Sequence, residues 1–257
     1  MKTFLLLLLF SNVSSAECKK NLKVLFFANG MFNSKTDAFK SLKELRKAYE
    51  LKSNKENFDE YKVAYNTDEP ALIQLFQVYR QKSEEYGLGF WKWIKTFKGA
   101  ETSEVLKKLL QDYYSEQRSV DKDLKIQIDE YNKYLKNGFQ VTTVAHSQGN
   151  FYTNFSFAQT NSKKTKMISV ATPASSVFQD GPYYTFKSDG VISLLPNALS
   201  PNREKSDPGL FDHAFVNHYL KEQTVQDEII NSIRQSISKE SVDYLAKREI
   251  LKCYKMS

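Results

Sequence analysis

Residues 141–152, "VTTVAHSQGNFY", join a β-branched run to a small cluster around Ser147. Ala145 and Gly149 lie two positions before and two positions after this serine. Where a strand turns sharply into a helix, the residue at the turn takes a strained backbone conformation, and its neighbours two positions away must be small. A serine held there presents its hydroxyl beside the helix N-terminus and its backbone N–H groups. The spacing therefore predicts a nucleophilic serine, and the plain alternative is an ordinary strand–turn–helix that contains a serine.

A serine hydroxyl needs a base to remove its proton, and histidine has a suitable pKa near neutrality. The chain has three histidines, His146, His213 and His218. His146 is adjacent to Ser147, but at such a turn we expect it to point away from the serine. His213 follows a polar, loop-like stretch and precedes a helical pattern, whereas His218 lies inside that pattern. His213 is therefore the favoured base, with His218 as the alternative.

The elements around these residues alternate between strands and helices, which is typical of a parallel α/β sheet. Apolar runs predict strands at 23–28, 61–66, 139–145, 166–173 and 183–187. Helical spacing predicts helices at 34–51, 70–86, 102–117 and 120–136, another from the serine cluster to about 159, and a helical tail from about 214. Residues 70–136 then form a helical insertion, and residues 17–257 form a single domain.

The string Ala145-His146-Ser147-Gln148-Gly149 resembles the nucleophile elbow of the α/β-hydrolase superfamily, in its lipase and esterase branch. Its first position is alanine, as in some lipases, and Asn150 stands where a second glycine is frequent. The resemblance implies a three-layer α/β-hydrolase-like sandwich with a mostly parallel central sheet. It also implies a base late in the chain, and "HAFVNHYL" is similar to the H-x-F…Y-L string of extracellular lipase-like hydrolases, with His213 in the catalytic place.

The resemblance further implies an acid between the serine and the histidine, just past a strand. Asp189 follows "YYTFK", and its S-D-G-V-I string resembles the G-D-G-V-V segment that carries the acid in many lipases. There it would orient the imidazole of the base. A solvent-facing Asp-Gly turn is the plain alternative. Three other acids compete for the role: Asp180, Asp207 and Asp212.

An oxyanion formed during acyl transfer needs two backbone donors. The N–H of Gln148, directly after the serine, is one candidate. "ANGMFN" after the first strand offers the N–H of Met31 or of Phe32, because Gly30 lets the chain bend closely. A plain turn at Asn29-Gly30 remains the alternative for this loop.

These residues together predict a serine hydrolase that cleaves carboxylic esters and uses no cofactor. No metal-binding spacing of His and Cys is present, and no phosphate-binding glycine loop. A thioesterase or acyltransferase could use the same triad. A non-catalytic envelope or surface protein that binds lipids or partners on a hydrolase scaffold is the alternative from another class. The triplet at Asn154 matches a glycosylation motif, which we discount because it falls in the helix after the serine.

The N-terminus predicts export. Lys2 precedes an apolar run and small residues at 14 and 16, so residues 1–16 are typical of a cleavable signal peptide and indicate a periplasmic or secreted protein. Removing Lys2 with this segment changes the formal net charge from +7 to +6. This positive charge favours contact with anionic surfaces such as a membrane. The chain has no block of basic residues, so nucleic acid is not expected as a partner. Cys18 and Cys253 are the only cysteines and predict one disulfide between the ends of the mature chain, the alternative being two free thiols.

Residues 90–98, "FWKWIKTFK", combine an apolar stripe with a lysine every third position. As a helix this segment could lie on a lipid surface and act as a lid, with Gly87 and Gly89 as hinges. A helix packed on the core with its lysines in water is the more ordinary interpretation.

Overall fold

The computed structural model describes seven stretches of the chain: residues 22–30, 33–53, 57–66, 123–160, 162–193, 198–209 and 212–237. Several predictions fall elsewhere. The signal peptide, both cysteines, Met31 and Phe32, most of the insertion and the segment 90–98 lie outside the described residues.

The described elements alternate between strands and helices. In chain order they are β1 (Lys23–Ala28), α1 (Lys35–Lys52), β2 (Glu60–Ala64), α2 (described over 123–136), β3 (Gln140–His146), α3 (Gly149–Thr160), β4 (Thr165–Val170), a 3-10 turn (Phe178–Asp180), β5 (Tyr183–Tyr184), α4 (Gly190–Ser193), a π-helix (Phe215–Tyr219) and α5 (Gln223–Ser236). All five strands are parallel, in the order β2-β1-β3-β4-β5. The prediction of a parallel α/β sheet is confirmed.

Helices cover both faces of the sheet. Alternate residues of the central strands point to opposite sides, so each strand contributes to two cores. On one face Leu25 and Phe27 of β1 pack in a core with α1 and α5. On the other face Val24 and Phe26 pack with the tyrosines of α2 and with Phe157 of α3. Strands buried on both faces are nearly continuous apolar runs, which is why the sequence of β1 shows no polar alternation.

The order of the strands reverses between β1 and β3. The chain leaves β1 for β2 on one side and leaves β3 for β4 on the other. In open α/β sheets, ligands bind outside the carboxyl ends of the strands at such a point. Ala28 pairs with Ala145 there, so Asn29 and Gly30 lie beside Ser147.

Local sequence signals position several element ends. Ser34 caps α1 through its hydroxyl, which accepts from the N–H of Asp37, while the Asp37 carboxylate accepts from the Ser34 N–H. Helix α2 ends at residue 136, and Gly138 follows it with a φ of 86°. Both ends match the predictions from sequence.

Three predicted strands were too long. The strand predicted at 61–66 ends at Ala64. The strand predicted at 166–173 ends at Val170, because Ala171 takes a positive φ of 48°. The strand predicted at 183–187 is reduced to Tyr183–Tyr184. The side chain of Asn202 accepts from the N–H of Thr185 at 3.1 Å and donates to the Tyr183 carbonyl at 2.9 Å. Phe186 beyond it forms only an isolated parallel bridge with Arg203.

The helical tail is also more complex than predicted. It starts as a π-helix, Phe215–Tyr219, followed by a break and the α-helix from Gln223. A π-helix carries more residues per turn than the 3.6 that a helical pattern assumes, and such turns are frequent at functional sites. No described helix has the length and apolar character that crossing a bilayer would require.

Candidate active site

Ser147 lies at the turn between β3 and α3 with a φ of 53°, in the left-handed region that residues other than glycine rarely adopt. Its N–H extends the sheet by donating to the Val170 carbonyl at 3.1 Å. Its carbonyl already accepts from the N–H of Asn150 at 3.0 Å, so the strand changes into a helix within one residue. The strain is the kind that marks functional turns.

The neighbours of this turn have no room for larger side chains. A Cβ atom on Gly149 would lie 2.6 Å from the Ala28 carbonyl oxygen and 2.7 Å from that of Asn29. A Cβ on Gly30 would lie 2.6 Å from the Cβ of Ser147. The end of β1 therefore packs directly on the turn, and both glycines are required by close approach.

Asn150 secures the turn to β4. Its side-chain amide donates to the carbonyls of Ser147 at 2.8 Å and Val170 at 3.1 Å, and its oxygen accepts from the Ser169 hydroxyl. It is fully buried, so these bonds are not exchanged with water. The sequence shows Asn150 only as a departure from glycine and gives no signal for this role.

The structure brings Ser147, His213 and Asp189 together. Nε2 of His213 lies 2.9 Å from Oγ of Ser147, and Nδ1 lies 2.9 Å and 3.0 Å from the two oxygens of Asp189. Asp189 is fully buried and Ser147 is 1% exposed, whereas the His213 side chain is 19% exposed. These distances are those of a serine–histidine–carboxylate chain, with the serine oxygen and the carboxylate on the two different ring nitrogens.

Asp189 accepts three further hydrogen bonds. The N–H groups of Val191 and Ile192 each donate to its Oδ1 at 3.1 Å, because Asp189 directly precedes the short helix α4. The hydroxyl of Tyr219 donates to its Oδ2 at 2.8 Å. Burial and the charge of Asp189 raise the pKa of Tyr219 well above its usual value, so this phenol keeps its proton.

Tyr219 was missed by the sequence analysis. Its oxygen also accepts from the N–H of Phe186 at 3.1 Å, and its ring stacks on Phe186 with centroids 4.3 Å apart. The π-helix places it there, six residues after His213. The tyrosine in the "HAFVNHYL" string is visible in the sequence, but its partner is not.

The alternative candidates for the base and the acid make other contacts. Nδ1 of His218 accepts from the N–H of Ala214 at 3.0 Å, within its own turn. Among the described residues, no hydrogen bond joins His213 to Asp180, Asp207 or Asp212.

Asp212 instead closes the loop before His213. Its carboxylate accepts from Nζ of Lys205 at 2.8 Å and from the N–H of Gly209 at 2.6 Å. Burial acts to raise the pKa of Asp212, but hydrogen bonding with Lys205, Ser188 and Gly209 outweighs it and lowers the pKa to about 2. This acid therefore remains ionised and binds the loop that carries the imidazole.

Of the residues predicted to stabilise an oxyanion, Gln148 is placed directly after Ser147 and just before α3, and it is 3% exposed. Met31 lies outside the described residues. The segment that leads to it is fixed: the side chains of Asn29 and Asn33 donate to the Gly30 carbonyl at 3.1 Å and 3.2 Å. Asn29 in turn accepts from the N–H of Asn66 at 2.8 Å.

Asn154, the residue of the glycosylation triplet, uses its side chain within the fold. It donates to the Ser176 carbonyl at 3.0 Å and accepts from the N–H of Phe178 at 2.7 Å. Among the described residues, no cluster of three or more His, Cys, Asp or Glu side chains has the arrangement of a metal site.

Comparison with known proteins gives no relative: no protein family matches the chain, and neither a curated protein nor a solved structure matches it. The geometry of this site is therefore the only indication of function.

Proposed function

We propose that the protein is a serine hydrolase of α/β-hydrolase type that cleaves carboxylic esters. The observation that carries the proposal is the hydrogen-bonded chain from Ser147 through His213 to Asp189, with the serine strained at the carboxyl end of a central strand. Nucleophile, base and acid occur in the order serine, aspartate, histidine along the chain, which is the order typical of that superfamily.

In this mechanism Oγ of Ser147 attacks the ester carbonyl carbon while Nε2 of His213 accepts the hydroxyl proton. Asp189 holds the Nδ1–H of the imidazole and stabilises its charged form. The N–H of Gln148, and that of Met31 outside the described residues, are the proposed donors to the oxyanion. His213 then gives the proton to the leaving alcohol, which departs and leaves an acyl group on Ser147.

Water completes the cycle. His213 takes a proton from the water as it attacks the acyl-enzyme, and the same proton returns to Ser147 when the carboxylic acid is released. No cofactor is needed for either half. The exported location and the ester or lipid substrate expected from the sequence are part of this proposal, as is contact with an anionic membrane surface.

Turnover of short-chain p-nitrophenyl esters tests the proposal. We expect Ser147→Ala and His213→Ala each to lower kcat/KM by about a thousandfold or more. Thr160→Ala is the matched control because its hydroxyl donates to the Phe157 carbonyl at the end of α3 far from Ser147, and we expect it to stay within about threefold of the wild type. A wild type without ester turnover, or a Ser147→Ala variant that keeps it, would contradict the proposal. The same comparison on matched oxoesters and thioesters distinguishes an esterase from a thioesterase.

A further inference from the structure

The side chain of His146, the residue directly before Ser147, contacts the backbone of His213. Its Nε2 lies 2.8 Å from the main-chain carbonyl oxygen of His213. His146 is 3% exposed, and its ring centroid lies 5.0 Å from that of His213, 5.6 Å from that of Phe215 and 6.2 Å from that of Tyr219. The ring is thus held by packing with one nitrogen aimed at the loop of the base.

The tautomer of this ring follows from its surroundings. Burial, reinforced by the neighbouring His213, lowers the pKa of His146 to about 3, so the ring is neutral at physiological pH and carries a single N–H. A carbonyl oxygen can only accept a hydrogen bond. The hydrogen therefore lies on Nε2, which donates to His213.

Gly30 makes room for this arrangement. A Cβ atom at residue 30 would lie 2.8 Å from Nδ1 of His146 and 3.3 Å from its Cε1. The absence of a side chain at the end of β1 lets the imidazole fill the space between that strand and the loop of His213.

We propose that His146 is a positioning residue, which tethers the backbone of His213 to the turn that carries Ser147. The inference rests on the proposed hydrolase function. His146 and Ser147 are consecutive, so the tether and the nucleophile share one rigid piece of backbone. The Nε2 of His213 is then held at 2.9 Å from the serine oxygen by a bond that does not involve the reacting atoms.

The tether acts on the main chain of His213, whereas the contact between Nδ1 and Asp189 acts on its ring. His213 is 19% exposed and follows a loop in which Asp212 bonds with Lys205 and Gly209. A displacement of about 1 Å between reacting groups costs on the order of a hundredfold in rate. The effect should therefore appear in kcat and much less in KM.

A buried histidine without a tethering role would only fill space in the core. Two substitutions distinguish this packing role from a hydrogen bond to His213. His146→Leu keeps an apolar side chain of similar bulk and removes the donor. His146→Gln carries an amide nitrogen at the position of Nε2 and keeps it. If packing alone matters, the leucine variant should equal or exceed the glutamine variant.

The experiment measures kcat and KM on a p-nitrophenyl ester and the rate of labelling by a small fluorophosphonate. Urea unfolding gives the folded fraction of each variant, and kcat is corrected for that fraction. We expect His146→Leu to lower kcat and the labelling rate by about 10- to 100-fold with KM within about threefold, and His146→Gln to recover to within about fivefold of the wild type. Equal rates in the two variants, at any level, would overturn the proposal.

A second measurement needs neither a variant nor turnover. Nitrogen-15 NMR of histidine-labelled wild type reports which ring nitrogen of His146 carries the hydrogen. We expect the Nε2–H form at pH 7, and the Nδ1–H form would overturn the tether because Nε2 could not then donate. A wild type with the Nε2–H form but no reaction with the fluorophosphonate would instead contradict the proposed function and leave the tether in place as a structural bond.

Discussion

The carboxylate of Asp189 is fully buried, so the stability of its charge depends on the hydrogen-bond donors that it meets. The Nδ1–H of His213, the hydroxyl of Tyr219 and the N–H groups of Val191 and Ile192 converge on its two oxygens. Hydrogen bonds to a charged group are stronger than those between neutral groups, and an unpaired buried charge is costly. Tyr219 is the only one of these donors that a conservative substitution removes without changing the backbone or the imidazole.

Tyr219→Phe tests this role. We expect kcat to fall by about 3- to 30-fold with KM little changed, because the Asp189 carboxylate that orients the His213 imidazole loses one of the bonds that hold it in place.

A purely structural tyrosine would behave differently. In that case Tyr219→Phe would lower the free energy of unfolding and leave kcat per folded molecule unchanged. Tyr184→Phe, which loses a hydroxyl that bonds with Ser232 away from the site, is the matched control and should leave kcat close to that of the wild type.

At the scale of elements, the turn between β3 and α3 depends on contact with the end of β1. A methyl group on Gly149 would meet two main-chain oxygens at 2.6 Å and 2.7 Å, and a backbone oxygen cannot rotate away as a flexible side chain can. The turn would have to move, and with it Ser147.

Gly149→Ala should therefore remove most of the proposed ester turnover and cost about 1–3 kcal/mol of stability through overpacking. Gly138→Ala is a matched control, because its φ of 86° also strains an alanine, by about 1–2 kcal/mol, but a Cβ there meets no atom within 4 Å. Urea unfolding and ester turnover of both variants check this. If both variants lose activity alike, the loss comes from stability and not from displacement of the turn.

The sequence predicts the elements of the site better than their contacts. Ser147 could be placed because the small residues at 145 and 149 are a local steric requirement, and Asp189 and His213 could be proposed from short motifs in the right order. The structure places all three within hydrogen-bonding distance, although their catalytic roles stay predictions. The bonds of His146, Asn150 and Tyr219 could not be predicted, because each joins residues that are far apart in the chain or depends on an irregular turn.

The same reason explains why some predicted elements end at other residues than the observed ones. β5 ends after two residues because β4, with which it pairs, ends at Val170, and the strand pattern of 183–187 does not encode that end. The π-helix at 215–219 departs from the helical period that the sequence analysis assumed.

For the molecule as a whole, the neutral His146 makes stability depend on pH. Its folded pKa of about 3 is below the ordinary value of 6.5, so the unfolded chain binds more protons between these values. The stabilisation by a neutral His146 is complete above pH 6.5 and is lost as the pH falls towards 3. The slope approaches about 1.4 kcal/mol per pH unit within this window.

His146→Gln removes this titration. As the pH falls from 7 to 4, we expect the free energy of unfolding of the wild type to decrease more than that of the variant. Urea unfolding at each pH measures both values. A constant difference across this range would mean that His146 is protonated in the folded protein, contrary to its burial.

The account depends most on Ser147 being a nucleophile activated by His213. The most direct measurement is labelling with a small fluorophosphonate, chosen because Ser147 is only 1% exposed, followed by peptide mapping by mass spectrometry. We expect the phosphonyl group on Ser147 of the wild type, no label on Ser147→Ala, and labelling slowed by about a hundredfold or more in His213→Ala. A folded wild type that leaves Ser147 unlabelled, or labels equally fast without His213, would contradict the account.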